Sequence, residues 1–408
     1  MKIIIKNLNR ENKKSEKRND AFHSFILILI FIFNITFLLT NVDRTKIMTR
    51  TEALIRGKKF MGKCFDGIFM NRNNNKIIIN PKISTIIPIY NSEKTIKPAI
   101  RSIQNQDMED IEIILIDDNS NDTTFSIIQE LSKEDKRIKI FRNKINKGTL
   151  YSRNIGVLNS KAKYIMNLDN DDLFLDVDIF DTVYKEAEIN NYDIVGFAAI
   201  QSYTYFPLIP QIEESPFHDH KDGLIVFQPN LTYFAVSRKG KYSPNDYHIW
   251  GKLIRSDLYK FSLNNFGLTA LGELRNESFL TWAEDCSILM AIFRYAKSYK
   301  FIKKYGIFHY LSITTASYTS EKYLKRYGEL FFLDSIFDFS HDNIEGKKYS
   351  IQMANEVIFK HISNLYNSKN EDYLKAILNK MIKCKYFSSE NKTKLQEISE
   401  SLNKIKVK

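Results

Sequence analysis

The sequence has only three cysteines in 408 residues, Cys64, Cys286 and Cys384, far apart and without C-x-x-C spacing. That excludes a disulfide scaffold and a zinc ribbon. Glycine is scarce too, at 14 residues, and no two glycines lie two positions apart. The G-x-G-x-x-G dinucleotide fingerprint is therefore missing. So is G-x-x-x-x-G-K-[ST], which rules out a P-loop nucleotidase. The net charge is +12, but the basic residues are spread along the chain, with no arginine-rich stripe interleaved with aromatics. Nucleic-acid binding is not expected; the charge reads as solubility and attraction to anionic surfaces.

Acidic, lysine and arginine residues are missing altogether from Ala21 to Val42, and Phe25 to Leu39 is almost wholly Ile, Leu and Phe. Roughly 20 apolar residues span a bilayer core. No small-x-small cleavage site follows the run, so it reads as a retained single-pass anchor rather than a signal peptide. Basic residues flank it almost equally, from Lys2 to Arg18 on one side and from Arg44 to Lys59 on the other. The positive-inside rule therefore selects neither membrane face. A type II arrangement in the Golgi or endoplasmic reticulum is expected were the source eukaryotic. Residues 1–20 read as a basic tail and residues 43–81, with their asparagine run, as a stem.

From residue 82 the pattern sharpens. Ile83 to Tyr90, Ile111 to Ile116, Arg137 to Phe141 and Tyr164 to Leu168 are apolar strand-like runs. Amphipathic helical segments alternate with them. The first carries Ile96, Ala99, Ile100 and Ile103 on one face, with Ser92 as its cap and Pro98 kinking or delaying its start. A helix over Ile179 to Ile189 and a strand over Tyr192 to Ala198 follow. This alternation predicts a parallel sheet with helices on both faces. Residues 199–245, with prolines that include Pro207, Pro210, Pro216 and Pro229, read as a long irregular insertion. From residue 319 to 408 the chain reads as helical, with apolar stripes at 323–331, 353–362 and 374–381.

The strand from Tyr164 ends in Asp169, Asn170, Asp171 and Asp172. Such an acidic turn is often merely solvated. At the carboxyl edge of an α/β sheet, however, ligands bind and hard cations take oxygen ligands. The other strand ends offer Asn91, Asp117, Asp118 and Asn119. Carboxylates repel a bare phosphate but accept hydrogen bonds from base N–H groups and sugar hydroxyls, and hold a divalent ion that bridges to phosphate. A nucleoside diphosphate held through Mn²⁺ or Mg²⁺ suits that set.

The segments IPIYN (87–91), IDDNSND (116–122), NKGTLYSRNIG (146–156) and LDNDD (168–172) occur in order. Together they resemble the nucleotide-binding half of family 2 glycosyltransferases with the GT-A fold. WGKLI (250–254) and WAEDC (282–286) resemble the family's acceptor side and its E-D motif more loosely. The resemblance divides a domain at 82–318 into a nucleotide-sugar half, 82–198, and an acceptor half, 199–318. It implies that Tyr90, beside Asn91, stacks on a uracil and that Asp117 or Asp118 accepts from the uracil N–H. Arg153 is placed near the base or diphosphate, Asp169 on the ribose and Asp171 on the metal. Asp172 matches a frequent third acid of less settled role.

The resemblance also makes Asp285, with Glu284 beside it, the base that deprotonates an acceptor hydroxyl in an inverting displacement. An acidic pair at a helix start would otherwise favour the helix dipole. Lys252 reads as an acceptor or phosphate contact or as a surface lysine; His309 falls near where the resemblance would place a further metal or diphosphate contact, but reads rather as a structural histidine. The expected activity is transfer from a nucleotide-sugar, UDP-linked, to a glycan, protein or lipid acceptor. A cytosol-facing transferase to a polyprenyl phosphate and an inactive interaction module are the rival readings. Leu150-Tyr151-Ser152 departs from the small residues usual before the family's A-R-N.

Overall fold

A computed structural model describes residues 78–202, 220–228, 248–265, 284–310 and 388–405, with short pieces at 213–214, 237–238, 241–242, 374–375, 378–379 and 382–383. The expected anchor at 21–42, most of the stem, most of the 199–245 insertion and the helices at 323–331 and 353–362 lie outside the described residues. Among the described residues, no helix is long and apolar enough to cross a membrane.

The nucleotide-side half runs β1 (Ile83–Ile89), α1 (Ile96–Gln104), β2 (Ile111–Asp117), α2 (Thr124–Glu134), β3 (Ile138–Arg142), α3 (Thr149–Asn159), β4 (Tyr164–Asn167), β5 (Leu173–Phe174), α4 (Ile179–Asn190) and β6 (Ile194–Ser202). Then come β7 (Glu213–Glu214), β8 (Ile225–Phe227), the hairpin of β9 (Ser237–Arg238) and β10 (Lys241–Tyr242), and β11 (Lys252–Arg255). The last elements are α5 (Ser256–Asn265), α6 (Glu284–Tyr295), β12 (Ser298–Tyr310) and α7 (Ser389–Ile405). Ten strands form one sheet in the order β3-β2-β1-β4-β11-β6-β12-β5, with β7 on β6 and β8 on β12.

β1 pairs in parallel with β2 and β4, as the alternation predicts. The sheet as a whole is mixed, not parallel, because β11 runs antiparallel between β4 and β6. Its reversed direction starts β11 at the edge where β1, β2 and β4 end. The chain just before Lys252 therefore joins the loops that leave those strands. The insertion also begins later than expected, since β6 continues to Ser202, and β8 adds to the sheet by pairing with β12.

Strand residues alternate between two cores. Ile83, Ile87, Ile113 and Leu115 pack with Ile100 of α1, Ile128 of α2 and Val183 of α4. Ile86, Ile114 and Ile116 face the other way, onto Val157 of α3, Tyr259 of α5 and Ile288 of α6. Helices thus cover both faces. Gly156 lets α3 lie close on the sheet: a Cβ there would meet Ile86 Cγ2 at 2.5 Å and Ile116 Cδ1 at 2.7 Å.

The start of α1 differs from the sequence expectation. Thr95 holds the cap position without a side-chain bond. Ser92 contributes its carbonyl oxygen, which accepts from the N–H groups of Thr95 and Ile96 at 3.0 and 2.9 Å. Pro98 falls within the first turn, where its missing N–H leaves no bond unmade.

Candidate active site

Three turns leave the sheet at its carboxyl edge and are bonded to one another. After β1, Asn91 adopts a left-handed backbone with φ 47°. Its N–H donates to Ser120 Oγ at 3.0 Å, and its Oδ1 accepts from the Asn121 N–H at 2.9 Å. After β4, Asn170 Nδ2 donates to Ser92 Oγ at 2.6 Å. The acidic turn is thereby pinned against the β1 turn. Tyr90 stands on the rim, 40% exposed, with its ring free to meet a ligand.

Asp117 and Asp118 both lie at the floor of this edge, buried. Asp117 accepts from the Ser120 N–H at 3.3 Å and pairs with Arg142 at 3.0 Å. Asp118 holds the loop before α3: it accepts from Asn143 Nδ2 at 2.7 Å, the Lys147 N–H at 2.8 Å and the Gly148 N–H at 2.7 Å. Gly148 can present that N–H because it takes φ 87°, a conformation glycine adopts without strain. Burial raises the Asp118 carboxyl above its ordinary range, against those three donors. The Ser152 hydroxyl is a further donor to Asp118, which fills its about four lone-pair sites and leaves Asp117 the freer of the two acids.

The centre of the edge is Arg153. It lies on α3 and is 1% exposed. One terminal nitrogen donates to Asp169 Oδ1 at 2.9 Å. The other donates to Asp285 Oδ1 at 2.5 Å and to Glu284 Oε1 at 3.2 Å. Burial opposes its charge, but these three carboxylates outweigh that and hold the proton more tightly than usual. The second oxygen of Asp285 accepts from the Ile249 N–H, at the start of the segment leading into β11, at 3.4 Å.

Glu284 and Asp285 open α6, where negative charge meets the positive end of the helix dipole. Burial raises both acids. Arg153 opposes the rise at Asp285, which settles at about 6. At Glu284 the neighbouring Asp285 adds to burial, and the carboxyl is pushed up to about 8. A carboxylate with a value near 6 is ionised at neutral pH yet basic enough to take a proton in a reaction.

In the acidic turn, Asp171 is pushed well up by burial and by the like charges of Asp172 and Asp169. Among the described residues, no group of three or more His, Cys, Asp or Glu side chains converges to hold a metal by itself. One or two carboxylates suffice for a Mg²⁺-type ion that takes its remaining ligands from water and substrate phosphates. Asp171 and the oxygen of Asp169 not held by Arg153 fit that partial set. The mutual repulsion in the turn is what such a cation would relieve.

Asp172 takes a different part. It is fully buried and accepts from the Tyr310 N–H at 2.9 Å, with His309 Nδ1 at 3.0 Å. Burial opposes charge on His309, but Asp172 outweighs it and raises the imidazole to about 9. The His309 ring continues a stack, 4.9 Å from Trp250, which lies 4.2 Å from His248. Lys252 is buried, not a surface lysine, and its ammonium donates to the His248 carbonyl at 2.5 Å.

Sequence reasoning left Asp172 without a partner and did not single out His248. A lone carboxylate and a histidine 137 residues away carry no local sign of each other. The only signal is that both sit at the ends of apolar runs.

The sequence model of Glycosyl transferase family 2 matches residues 84–261. GalNAc(5)-diNAcBac-PP-undecaprenol beta-1,3-glucosyltransferase of Campylobacter jejuni is 45% identical over 96 residues, 23% of this chain and 31% of that protein. Cholesterol galactosyltransferase of Borreliella burgdorferi is 31% identical over 232 residues, 56% of this chain and 60% of that protein. The matches thus span less than two thirds of either relative. Among solved structures, S. aureus TarS 1–349 in complex with UDP-GlcNAc superposes with a TM-score of 0.52 at 15% identity, covering 73% of this chain and 81% of that one. At that identity the likeness speaks for the fold alone, a GT-A sheet. Residues 84–261 thus match the sequence model of glycosyl transferase family 2, on a sheet of GT-A type.

Proposed function

We propose that this chain is a metal-dependent, inverting glycosyltransferase that moves a sugar from a UDP-sugar to an acceptor hydroxyl. The observation that carries the reading is the shared guanidinium of Arg153, which brings donor-side Asp169 and candidate base Asp285 to one pocket. Asp285 takes the proton of the acceptor hydroxyl as its oxygen attacks the anomeric carbon. The bond from that carbon to the diphosphate oxygen breaks on the opposite face, so the configuration inverts. Asp171 and Asp169 would hold a divalent cation, Mn²⁺ or Mg²⁺, which would neutralise charge on the leaving diphosphate. Tyr90 offers a ring for the base, and Asp117 or Asp118 a carboxylate for its N–H.

The acceptor is a hydroxyl on a glycan, protein or lipid. Two relatives carry undecaprenol or cholesterol in their names, which supports a lipid-linked acceptor reached by a chain anchored through residues 21–42. One scaffold of this kind serves many specificities, so the donor comes first in the test. Calorimetric titration of the protein with UDP, GDP and CDP, with and without Mn²⁺, is expected to show manganese-dependent binding that prefers UDP. A preference for GDP overturns the uracil assignment. Folded protein that binds none of the three overturns the enzyme reading in favour of an inactive module.

A further inference from the structure

We propose that Arg153 is a positioning residue: it holds the base Asp285 at a fixed place relative to donor-side Asp169 and makes no contact with the donor itself. The inference rests on the glycosyl-transfer reading but departs from the family expectation, which sets this arginine against the base or diphosphate.

The geometry is the argument. Both terminal nitrogens of the guanidinium already donate to carboxylates, at 2.5 to 3.2 Å. The side chain is 1% exposed, so it presents almost no surface to a ligand at the open edge. Its Nε is buried without a hydrogen-bond partner. With 1% of its side chain exposed, this arginine is closed to a donor phosphate at the open edge. The planar fork instead suits a fixed span, one nitrogen for each half of the site, which a point-charge ammonium cannot reproduce.

The two halves need such a tie. Asp169 sits at the end of the β4 segment and Asp285 at the start of α6; the guanidinium contacts them across sequence separations of 16 and 132 residues. Among the described residues, Asp285 has besides Arg153 one long bond, from the Ile249 N–H at 3.4 Å. Without the arginine, that long bond is the remaining anchor of the base carboxylate among the described residues, and its place relative to Asp169 is no longer fixed. Misplacing a reacting group by about 1 Å costs on the order of 100-fold in rate.

The test uses Arg153→Lys and Arg153→Ala in the full chain. Donor-site affinity is read by calorimetry with UDP and Mn²⁺, which needs no turnover. Turnover is read as UDP released from UDP-glucose, UDP-galactose and UDP-GlcNAc, with water in place of the acceptor. Both variants are expected to bind UDP within threefold of the unaltered protein and to lose about 100-fold in turnover, with little change in donor KM. About 20 mM guanidinium is expected to restore Arg153→Ala at least tenfold and to leave Asp285→Asn unchanged.

A fall in UDP affinity of more than tenfold overturns the proposal and makes Arg153 a donor ligand. Turnover within threefold of the unaltered protein, or folded Arg153→Ala that guanidinium does not rescue, overturns the positioning role. Arg153→Lys keeps the charge and decides the matter should the alanine variant not fold. An unaltered protein that binds UDP with Mn²⁺ but releases none from any of the three sugars overturns the glycosyl-transfer reading instead.

Discussion

The imidazole of His309 meets Asp172 with Nδ1 at 3.0 Å from one carboxylate oxygen and 3.1 Å from the other. The same acid accepts from the Tyr310 N–H at 2.9 Å, and β12 pairs beside it with Leu173 and Phe174. The end of β12 therefore clamps the acidic turn from the side opposite the β1 turn. The turn that carries Asp169 and Asp171 is thus anchored through Asn170 and Asp172, in addition to the bond from Arg153 to Asp169 Oδ1.

His309→Leu leaves the buried Asp172 carboxylate without a cation, a loss of about 3 kcal/mol in unfolding free energy. The raised value of His309, about 9 against an ordinary 6.5, sets the sign. Its stabilisation is fully present below pH 6.5 and is lost as pH rises through about 9. Urea unfolding at pH 6 and pH 9.5 is expected to separate the two proteins widely at the first and little at the second.

Asp285→Asn is expected to keep manganese-dependent UDP binding and to lose between about 10² and 10⁴ in turnover, the usual share of a general base. In the unaltered protein, turnover is expected to fall about tenfold per unit of pH below the Asp285 value of about 6. Asparagine at this position removes that limb. Full activity in Asp285→Asn would overturn the base assignment.

Asp171 shows a trade between function and stability. Its carboxyl is raised by burial and by Asp172 and Asp169, so the native state without metal holds a proton there that the unfolded chain releases. Stability without metal therefore falls as pH rises from the ordinary carboxylate range toward the raised value. Asp171→Asn is expected to melt higher than the unaltered protein at pH 8 in the presence of a chelator, and no higher at pH 4. Asp171→Ala is expected to lower UDP affinity more than about tenfold with Mn²⁺, and hardly at all without it.

Gly156→Ala places a methyl against Ile86 and Ile116 where α3 crosses the sheet. Overpacking of this kind costs roughly 1–3 kcal/mol. Chemical denaturation reads the loss directly, and an unchanged midpoint would show that α3 can lift off the sheet without cost.

The alternating half of the fold was legible because its strands are unbroken apolar runs that stop at polar turns, as Ile111 to Asp117 does. β11 was not legible. It has four residues, and its Lys252 carries an ammonium that the fold buries against the carbonyl of His248. β12 was hidden as well, since Lys300, Lys303 and Lys304 give a thirteen-residue strand the look of a surface segment. In the site, Asp169 and Asp171 were visible as a cluster in sequence. The burial of Arg153 was not, because the acids that compensate it stand on two segments that only the folded chain brings together.

The separations along the chain also bear on the order of assembly. β1 and β2 meet across 28 residues, whereas Arg153 meets Asp285 across 132 and Asp172 meets His309 across 137. Distant pairings form only after a larger loss of chain freedom. A chain emerging amino end first can build the β1–β4 layer, with Asp169 in place, before the residues that supply the base have been made. On the proposed reading, the candidate base is therefore among the last parts of the site to be set in place, after the nucleotide-side strands have formed.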